Sequence, residues 1–305
     1  MSRGRFAPSP TGPLHLGNLR TALAAWLFAR AAGSEFVLRF EDLDPIVTSR
    51  DHETRQLREL ELFGLDWDGE PMRQSEHLDR YRTVVQELRA RDLSYLCWCT
   101  RREIREAAQA PHHPTGHYPG TCRLLTDEDR QKQQASGRPA AVRLATGGES
   151  FEIVDRLTGP HRETIDDLVL ERADGTPAYN LAVVVDDAAQ GIEEVVRGDD
   201  LLSTTPRQAY LQQLLGYPEP IWAHVPLVLS PTGERLAKRD GAVTLEDRIA
   251  LGDRPERVVS VLAASLGLQP PDREVRPADL LETFDPSLIS RSPWTMSPTQ
   301  IESCW

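Results

Sequence analysis

The stretch Arg5-Phe6-Ala7-Pro8-Ser9-Pro10-Thr11-Gly12-Pro13-Leu14-His15-Leu16-Gly17-Asn18 decides the reading of this chain. It reads as a strand end, a Pro/Gly turn, and a His-x-Gly entry into a helix. That helix is apolar-periodic through Leu19, Leu23, Trp26, Leu27 and Arg30, with Gly33 as its stop. Amides at a helix start lack intrahelical partners and carry positive potential, so such a junction suits a phosphate. The plainer alternative is an ordinary βα turn.

Working outward, Glu35–Phe40 is a β-rich run closed by Glu41-Asp42-Leu43-Asp44-Pro45. Strand, helix, strand in that order opens a parallel α/β sheet. Helical periodicity follows over Arg50–Phe63 (Leu57, Leu60, Leu62; stop at Gly64) and from Leu78 to about Asp92. From Tyr95 the character changes to cysteines, arginines and a loop-like 112–116 stretch, which predicts an insertion. Short strand-like runs follow at Ala141–Leu144, Phe151–Val154 and Leu168–Leu170. Tyr179–Val185 and Glu193–Val196 have buried-strand composition. Pro206–Leu215 is helical, His224–Leu229 is another apolar run, and helices are expected from Thr244 onward. The predicted organisation is an α/β catalytic domain in two halves, 1–94 and 179–242, an inserted α+β module at 95–178, and a helical region at 243–305.

The 305 residues carry a formal net charge of −12, which excludes a generic nucleic-acid coat and leaves room for a local basic face. Arg101, Arg102 and Arg105 would contribute to such a face or simply to a solvated helix surface. There is no membrane-length apolar run and no signal-peptide h-region, so a cytoplasmic location without membrane contact is expected. Three of the four cysteines, Cys97, Cys99 and Cys122, cluster. In a cytosolic chain that clustering points to metal rather than disulfide, while Cys304 stands apart. Lys132 and Lys238 are the only lysines. Lys238 sits in a Gly-bounded loop after an apolar strand, within Ser230-Pro231-Thr232-Gly233-Glu234-Arg235-Leu236-Ala237-Lys238-Arg239-Asp240-Gly241. A lysine there can neutralise charge building on a phosphate. Neither lysine lies in a Walker motif.

Together the two elements resemble class I aminoacyl-tRNA synthetases of the glutamyl type. His15-Leu16-Gly17-Asn18 is similar to their HIGH motif, and Arg235-Leu236-Ala237-Lys238-Arg239 to their KMSKS loop, with Arg235 for the first lysine and Ala237 for the serine. The resemblance implies a Rossmann-like α/β catalytic domain with an inserted module and a helical stem-contact region. It implies that ATP, with Mg2+, is held by His15, Gly17, Asn18 and Lys238, of which His15, Gly17 and Lys238 act in catalysis. It also implies a glutamate site built from Arg5, Ala7, Ser9, Glu41, Tyr179 and Arg197. Arg5 would take the side-chain carboxylate and Glu41 the α-amino group; a guanidinium pairs bidentately with a carboxylate and disfavours an amide.

Two departures separate this chain from the longer members. The segment Tyr179-Asn180-Leu181-Ala182-Val183 has valine where they read asparagine, and Leu201 stands where they read tryptophan. The chain also ends soon after Leu280–Ile289, where they begin an anticodon-binding domain. These features match a short branch of the family that transfers glutamate to the queuosine base in the anticodon loop of tRNA(Asp). In that branch Cys97, Cys99, Tyr118 and Cys122 would hold a structural Zn2+, with His113 and His117 as chemically better candidates than a phenol for the fourth ligand. The expected partners are L-glutamate and queuosine-bearing tRNA(Asp), and the expected state is a monomer. The competing readings are a shortened enzyme charging tRNA(Glu) and a non-catalytic tRNA-binding relative.

Overall fold

A computed structural model describes residues 2–108, 118–230, 232–234, 236, 244–269 and 273–296. Arg235, Ala237, Lys238, His113, His117 and Cys304 lie outside the described residues.

The central sheet has seven strands in the order β3-β2-β1-β9-β10-β6-β7. They are β1 (Arg3–Phe6), β2 (Glu35–Phe40), β3 (Met72–Arg73), β6 (Ser150–Asp155), β7 (Gly159–Thr164), β9 (Glu194–Gly198) and β10 (Ile221–Val225). All neighbours run parallel except the β6–β7 hairpin. β4 (Ser94–Cys97), β5 (Ala141–Leu144) and β8 (Val169–Glu171) form a separate antiparallel sheet in the order β4-β5-β8. β11 (Val228–Leu229) pairs with β12 (Trp294–Thr295). The helices are α1 (Leu16–Ala31), α2 (Arg50–Phe63), α3 (Leu78–Ala90), α4 (Arg101–Ala108), α5 (Asp127–Ala135), α6 (Tyr179–Gln190), α7 (Thr205–Leu215), α8 (Leu245–Ala250) and α9 (Pro255–Ser265).

Strand alternation divides the main sheet into two different faces. Phe6, Phe36, Leu38, Val196, Ala223 and Val225 join α1 and α9 in one hydrophobic cluster. α1 is buried almost all round, from Ala22 to Ala29, because sheet and α9 cover it from both sides. Its approach to β1 is close: a Cβ on Gly4 would lie 3.0 Å from Ala29 Cβ. On the opposite face Val37, Val195 and Trp222 pack against Ala209 of α7. The same alternation places Arg5, Arg39, Arg197 and His224 on that second face, so it is ionic where the first is apolar.

Several elements differ from the sequence expectation. Tyr179–Val185 is the first half of α6, not a strand. Its Val183-Val184-Val185 run favours β structure locally, but Leu181–Asp187 are all buried, and burial on every side outweighs propensity. In α2 the inward residues include Glu53, Gln56 and Glu59 beside Leu60 and Phe63, whereas Leu62 faces solvent. Residues 150–164, assigned by sequence to the insertion, extend the main sheet at β10 instead of joining β4, β5 and β8. The tail holds not only helices but also two 3₁₀ turns and β12, which returns to β11.

Candidate active site

A cavity of about 670 Å³ opens at the carboxyl ends of the parallel strands. Between β1 and β9 the order of strands reverses direction, and crevices at such a switch point are the usual ligand sites of open α/β sheets. The cavity is lined by Arg5, Ala7, Ser9, His15, Gly17 and Asn18, and across it by Glu41, Tyr179, Arg197 and Leu201. Ten of the residues singled out from the sequence therefore meet here. Lys238 lies outside the described residues. Val183 is buried in the cluster formed by α3, α6 and α7 and is not part of the cavity lining.

His15 caps α1. Its Nδ1 accepts the Asn18 amide hydrogen (3.2 Å) while Asn18 Oδ1 accepts the His15 amide hydrogen (3.2 Å), a reciprocal capping box. With Nδ1 as acceptor, the neutral ring carries its proton on Nε2. Gly17 makes room for that ring: a Cβ there would lie 3.0 Å from both Cε1 and Nδ1 of His15. The turn before the helix is held from below by α2. Gln56 Nε2 donates to the carbonyls of Ser9 (3.1 Å) and Gly12 (2.7 Å), and the Leu14 amide donates to Glu59 Oε2 (2.7 Å). Burial raises the Glu59 carboxyl, with the Leu14 amide working the other way. Sequence reading missed both residues, although polar positions at i and i+3 on the inward stripe of a helix are the signal that could have found them.

The second wall is cationic. Arg5 is almost wholly buried and donates through Nε to Asp187 Oδ1 (3.3 Å) and through Nη1 to the Val196 carbonyl (3.3 Å). Arg39 shares the same carboxylate oxygen (2.7 Å). Burial opposes an ionised Asp187, but Arg5 and Arg39 hold its carboxyl below the usual range. Burial also holds Arg197 below the usual guanidinium value, and Arg5 adds to that through repulsion. Two guanidiniums facing one cavity create a demand for anionic ligand groups. Glu41 lies among them, with Asp200 and Glu234 elsewhere on the lining. Burial pushes the Glu41 carboxyl up to about 7, against the pull of Arg39, Arg5 and Arg197 and with Asp187 adding to the rise. The site can thus receive a carboxylate at its arginines and an ammonium at Glu41, with the amide-rich start of α1 beside them for phosphate.

The cysteines form a second constellation. The Sγ atoms of Cys97, Cys99 and Cys122 all lie within 4.8 Å of one another, Cys99 and Cys122 at 3.4 Å. Tyr118 Oη joins them, 3.3 Å from Cys97 Sγ and 3.6 Å from Cys99 Sγ, and accepts the Cys122 amide hydrogen (2.9 Å). Four thiolates around a tetrahedral Zn2+ at about 2.3 Å would stand about 3.8 Å apart, so this donor set fits such an ion. Burial pushes the Cys99 thiol up to about 12 and raises Tyr118. Burial works against a Cys122 thiolate too, but the Trp98 amide and the neighbouring thiols and hydroxyl bring it below the usual thiol value. Arg143 stacks over the Tyr118 ring at 3.8 Å and fixes its plane.

A switch-point crevice, a capped anion-binding helix start and a carboxylate-seeking wall define a nucleotide-using class I synthetase core. The family model for tRNA synthetases class I (E and Q), catalytic domain, matches residues 2–303, and the chain belongs to that family. It is 58% identical over 294 residues to the glutamyl-Q tRNA(Asp) synthetase of Nocardia farcinica, across 96% of this chain and 93% of that protein. It is 40% identical to the glutamate–tRNA ligase of Geobacter sulfurreducens, across 98% of this chain but 64% of that one. Among solved structures, a glutamate tRNA ligase from Elizabethkingia meningosepticum in complex with its amino acid superposes with a TM-score of 0.83 at 28% identity, covering 99% of this chain and 68% of that one.

Proposed function

We propose that this chain activates glutamate with ATP and transfers it to the queuosine base of tRNA(Asp). The observation that carries the chemistry is the meeting of Arg5, Arg197 and Glu41 with the capped start of α1 in one cavity. The recipient is supported by near full-length similarity to the Nocardia farcinica glutamyl-Q tRNA(Asp) synthetase, against partial coverage of the glutamate–tRNA ligase.

In this reading Arg5 takes the side-chain carboxylate of glutamate and Glu41 its α-ammonium, with Ala7, Ser9 and Tyr179 shaping the pocket and Arg197 completing its charge. The free α-carboxylate oxygen attacks the α-phosphorus of ATP, and the bond to the leaving pyrophosphate breaks. No protein nucleophile is needed; positioning and charge stabilisation lower the barrier. His15 and Asn18 set the amides at the start of α1 against the phosphates, Gly17 admits the His15 ring, and Lys238 meets the charge that develops. Mg2+ enters with ATP as its counter-ion. A hydroxyl of the queuosine ring then attacks the glutamyl carbonyl, releasing AMP. Cys97, Cys99, Cys122 and Tyr118 would hold a Zn2+ ion, which would supply a structural cross-link within residues 95–178. No described helix is long and apolar enough to cross a membrane.

Glutamate-dependent ATP–pyrophosphate exchange tests the activation step. Exchange is expected with glutamate and not with glutamine. Lys238→Ala is expected to lower the exchange rate about 100-fold or more, the scale of losing one charge-stabilising group, while glutamate affinity changes little. Unchanged exchange in that variant removes Lys238 from the mechanism.

A further inference from the structure

Arg197 is anchored unlike the other arginines of the site. Arg5 and Arg39 both pair directly with the Asp187 carboxylate. Arg197 instead donates through Nε to His224 Nε2 (3.1 Å) and through Nη2 to Thr205 Oγ1 (2.8 Å). His224 in turn is 2.6 Å, through Nδ1, from Asp155 Oδ2. Oδ1 of the same carboxylate accepts the amide hydrogens of Leu157 and Thr158, both at 2.9 Å. The chain of contacts runs across three neighbouring strands, β9, β10 and β6, with Arg197 and His224 directly opposite in register. His224 is fully buried and Asp155 and Arg197 nearly so.

Nε2 of His224 also lies 3.0 Å from Thr205 Oγ1, a hydroxyl that can donate or accept, so the Arg197 Nε–H is what decides the assignment. An ionised Asp155 accepts from Nδ1–H, so Nε2 is bare and accepts from Arg197. Burial disfavours a charged imidazole and holds His224 below its ordinary value, and Arg197 adds to that, although Asp155 pulls the other way. Burial also opposes an ionised Asp155, yet the bond from His224 and the two backbone amides leave its carboxyl below the usual range. Arg197 Nη1 has no hydrogen-bond partner among the described residues, and the side chain lines the cavity.

We infer that Asp155 and His224 are positioning residues that fix the Arg197 guanidinium through a neutral imidazole, so that its charge is oriented but not neutralised and stays available to a carboxylate of the substrate. A carboxylate placed directly on Arg197 alone would orient it equally well but reduce the attraction, whereas at Arg5 one Asp187 carboxylate is shared between two guanidiniums and leaves a net positive charge. The imidazole transmits orientation from Asp155 while keeping the negative charge one ring away. The identity of that substrate rests on the proposed glutamate activation; the protonation pattern does not.

Asp155→Asn tests the relay at constant shape. The asparagine oxygen is claimed by the Leu157 and Thr158 amides, so its NH2 faces His224 Nδ1. The imidazole proton then moves to Nε2, where it meets the Arg197 Nε–H donor to donor, breaks that bond and turns to the Thr205 hydroxyl 3.0 Å away. The expected result is a rise in the KM for glutamate of about 10- to 100-fold, the scale on which loss of an outer hydrogen-bond partner acts at metal-bound histidines, with the KM for ATP unchanged. Equal rises in both, or no rise, would overturn the inference. Nitrogen NMR of 15N-histidine-labelled unmodified protein, with His224 assigned by its loss in His224→Gln, reads the tautomer directly. Expected is a protonated Nδ1 and a bare Nε2; a protonated Nε2 or an imidazolium would contradict the relay even if Asp155→Asn failed to fold. Absence of exchange in the unmodified protein would remove the proposed function, while the tautomer would still decide whether His224 holds Arg197 in this way.

Discussion

In the proposed reading, Arg5 and Glu41 set the chemistry of the pocket. Replacing Arg5 with alanine is expected to weaken glutamate activation about 10- to 100-fold, the equivalent of about 1.5–3 kcal/mol for a charged hydrogen bond, and to erase preference over glutamine. Competitive activation of the two amino acids checks this, and retained selectivity would count against the assignment. Glu41 gives a pH signature. Its carboxyl sits at about 7, above the ordinary range, and only the ionised form pairs with an α-ammonium. The KM for glutamate is therefore expected to rise as pH falls below about 7, and in Glu41→Gln to be high and nearly independent of pH. Stability runs the other way. A carboxyl raised in the folded state contributes stability below its ordinary range and loses it as pH rises through about 7. Glu41→Gln should thus melt at a higher temperature than the native chain at pH 8, and an unchanged or lower midpoint would contradict the burial of this charge. At this scale Arg5, Glu41 and Arg197 were legible only through motif resemblance. Asp187, His224 and Asp155 were not legible at all, because their partners are brought together by sheet topology, with 69 residues separating Asp155 from His224.

Among the elements, α1 and its turn were read correctly because capping, periodicity and a stop signal all agree there. α6 was read as a strand because a valine run hides a helix whose polar stripe appears only at Asp186 and Asp187, buried against Arg39 and Tyr81. α2 was assigned as a helix with Leu57 and Leu60 inward, as they are, but Leu62 faces solvent and the inward polar residues that hold the Ser9–Leu14 turn, Gln56 and Glu59, were missed. The cysteine module makes a prediction of its own. Protein purified without chelator is expected to carry one Zn2+ per chain, and Cys99→Ser or Cys122→Ser to lose it. The same variants should lower the unfolding midpoint, by about 2–4 °C for each kcal/mol lost in a chain of this order of size. Sub-stoichiometric metal in a fully folded protein would contradict a structural ion.

For the whole molecule, the sheet separates two tasks. One face is an apolar seat for α1 and α9; the other carries buried guanidiniums, of which Arg5 and Arg197 meet the cavity at the strand-order reversal. The net charge of −12 excludes adhesion to RNA by bulk attraction, so recognition of a tRNA would have to rest on local arginines and shape. The fold class was legible from the order strand–helix–strand and from two separated motifs; the merging of 150–164 into the main sheet was not, because a short strand's pairing partner is a long-range property. The most direct measurement is transfer of labelled glutamate, in the presence of ATP, to tRNA(Asp) with and without queuosine, and to tRNA(Glu). The expected result is label on queuosine-bearing tRNA(Asp) alone. Label on tRNA(Glu), or equal label on tRNA(Asp) lacking queuosine, would contradict the account.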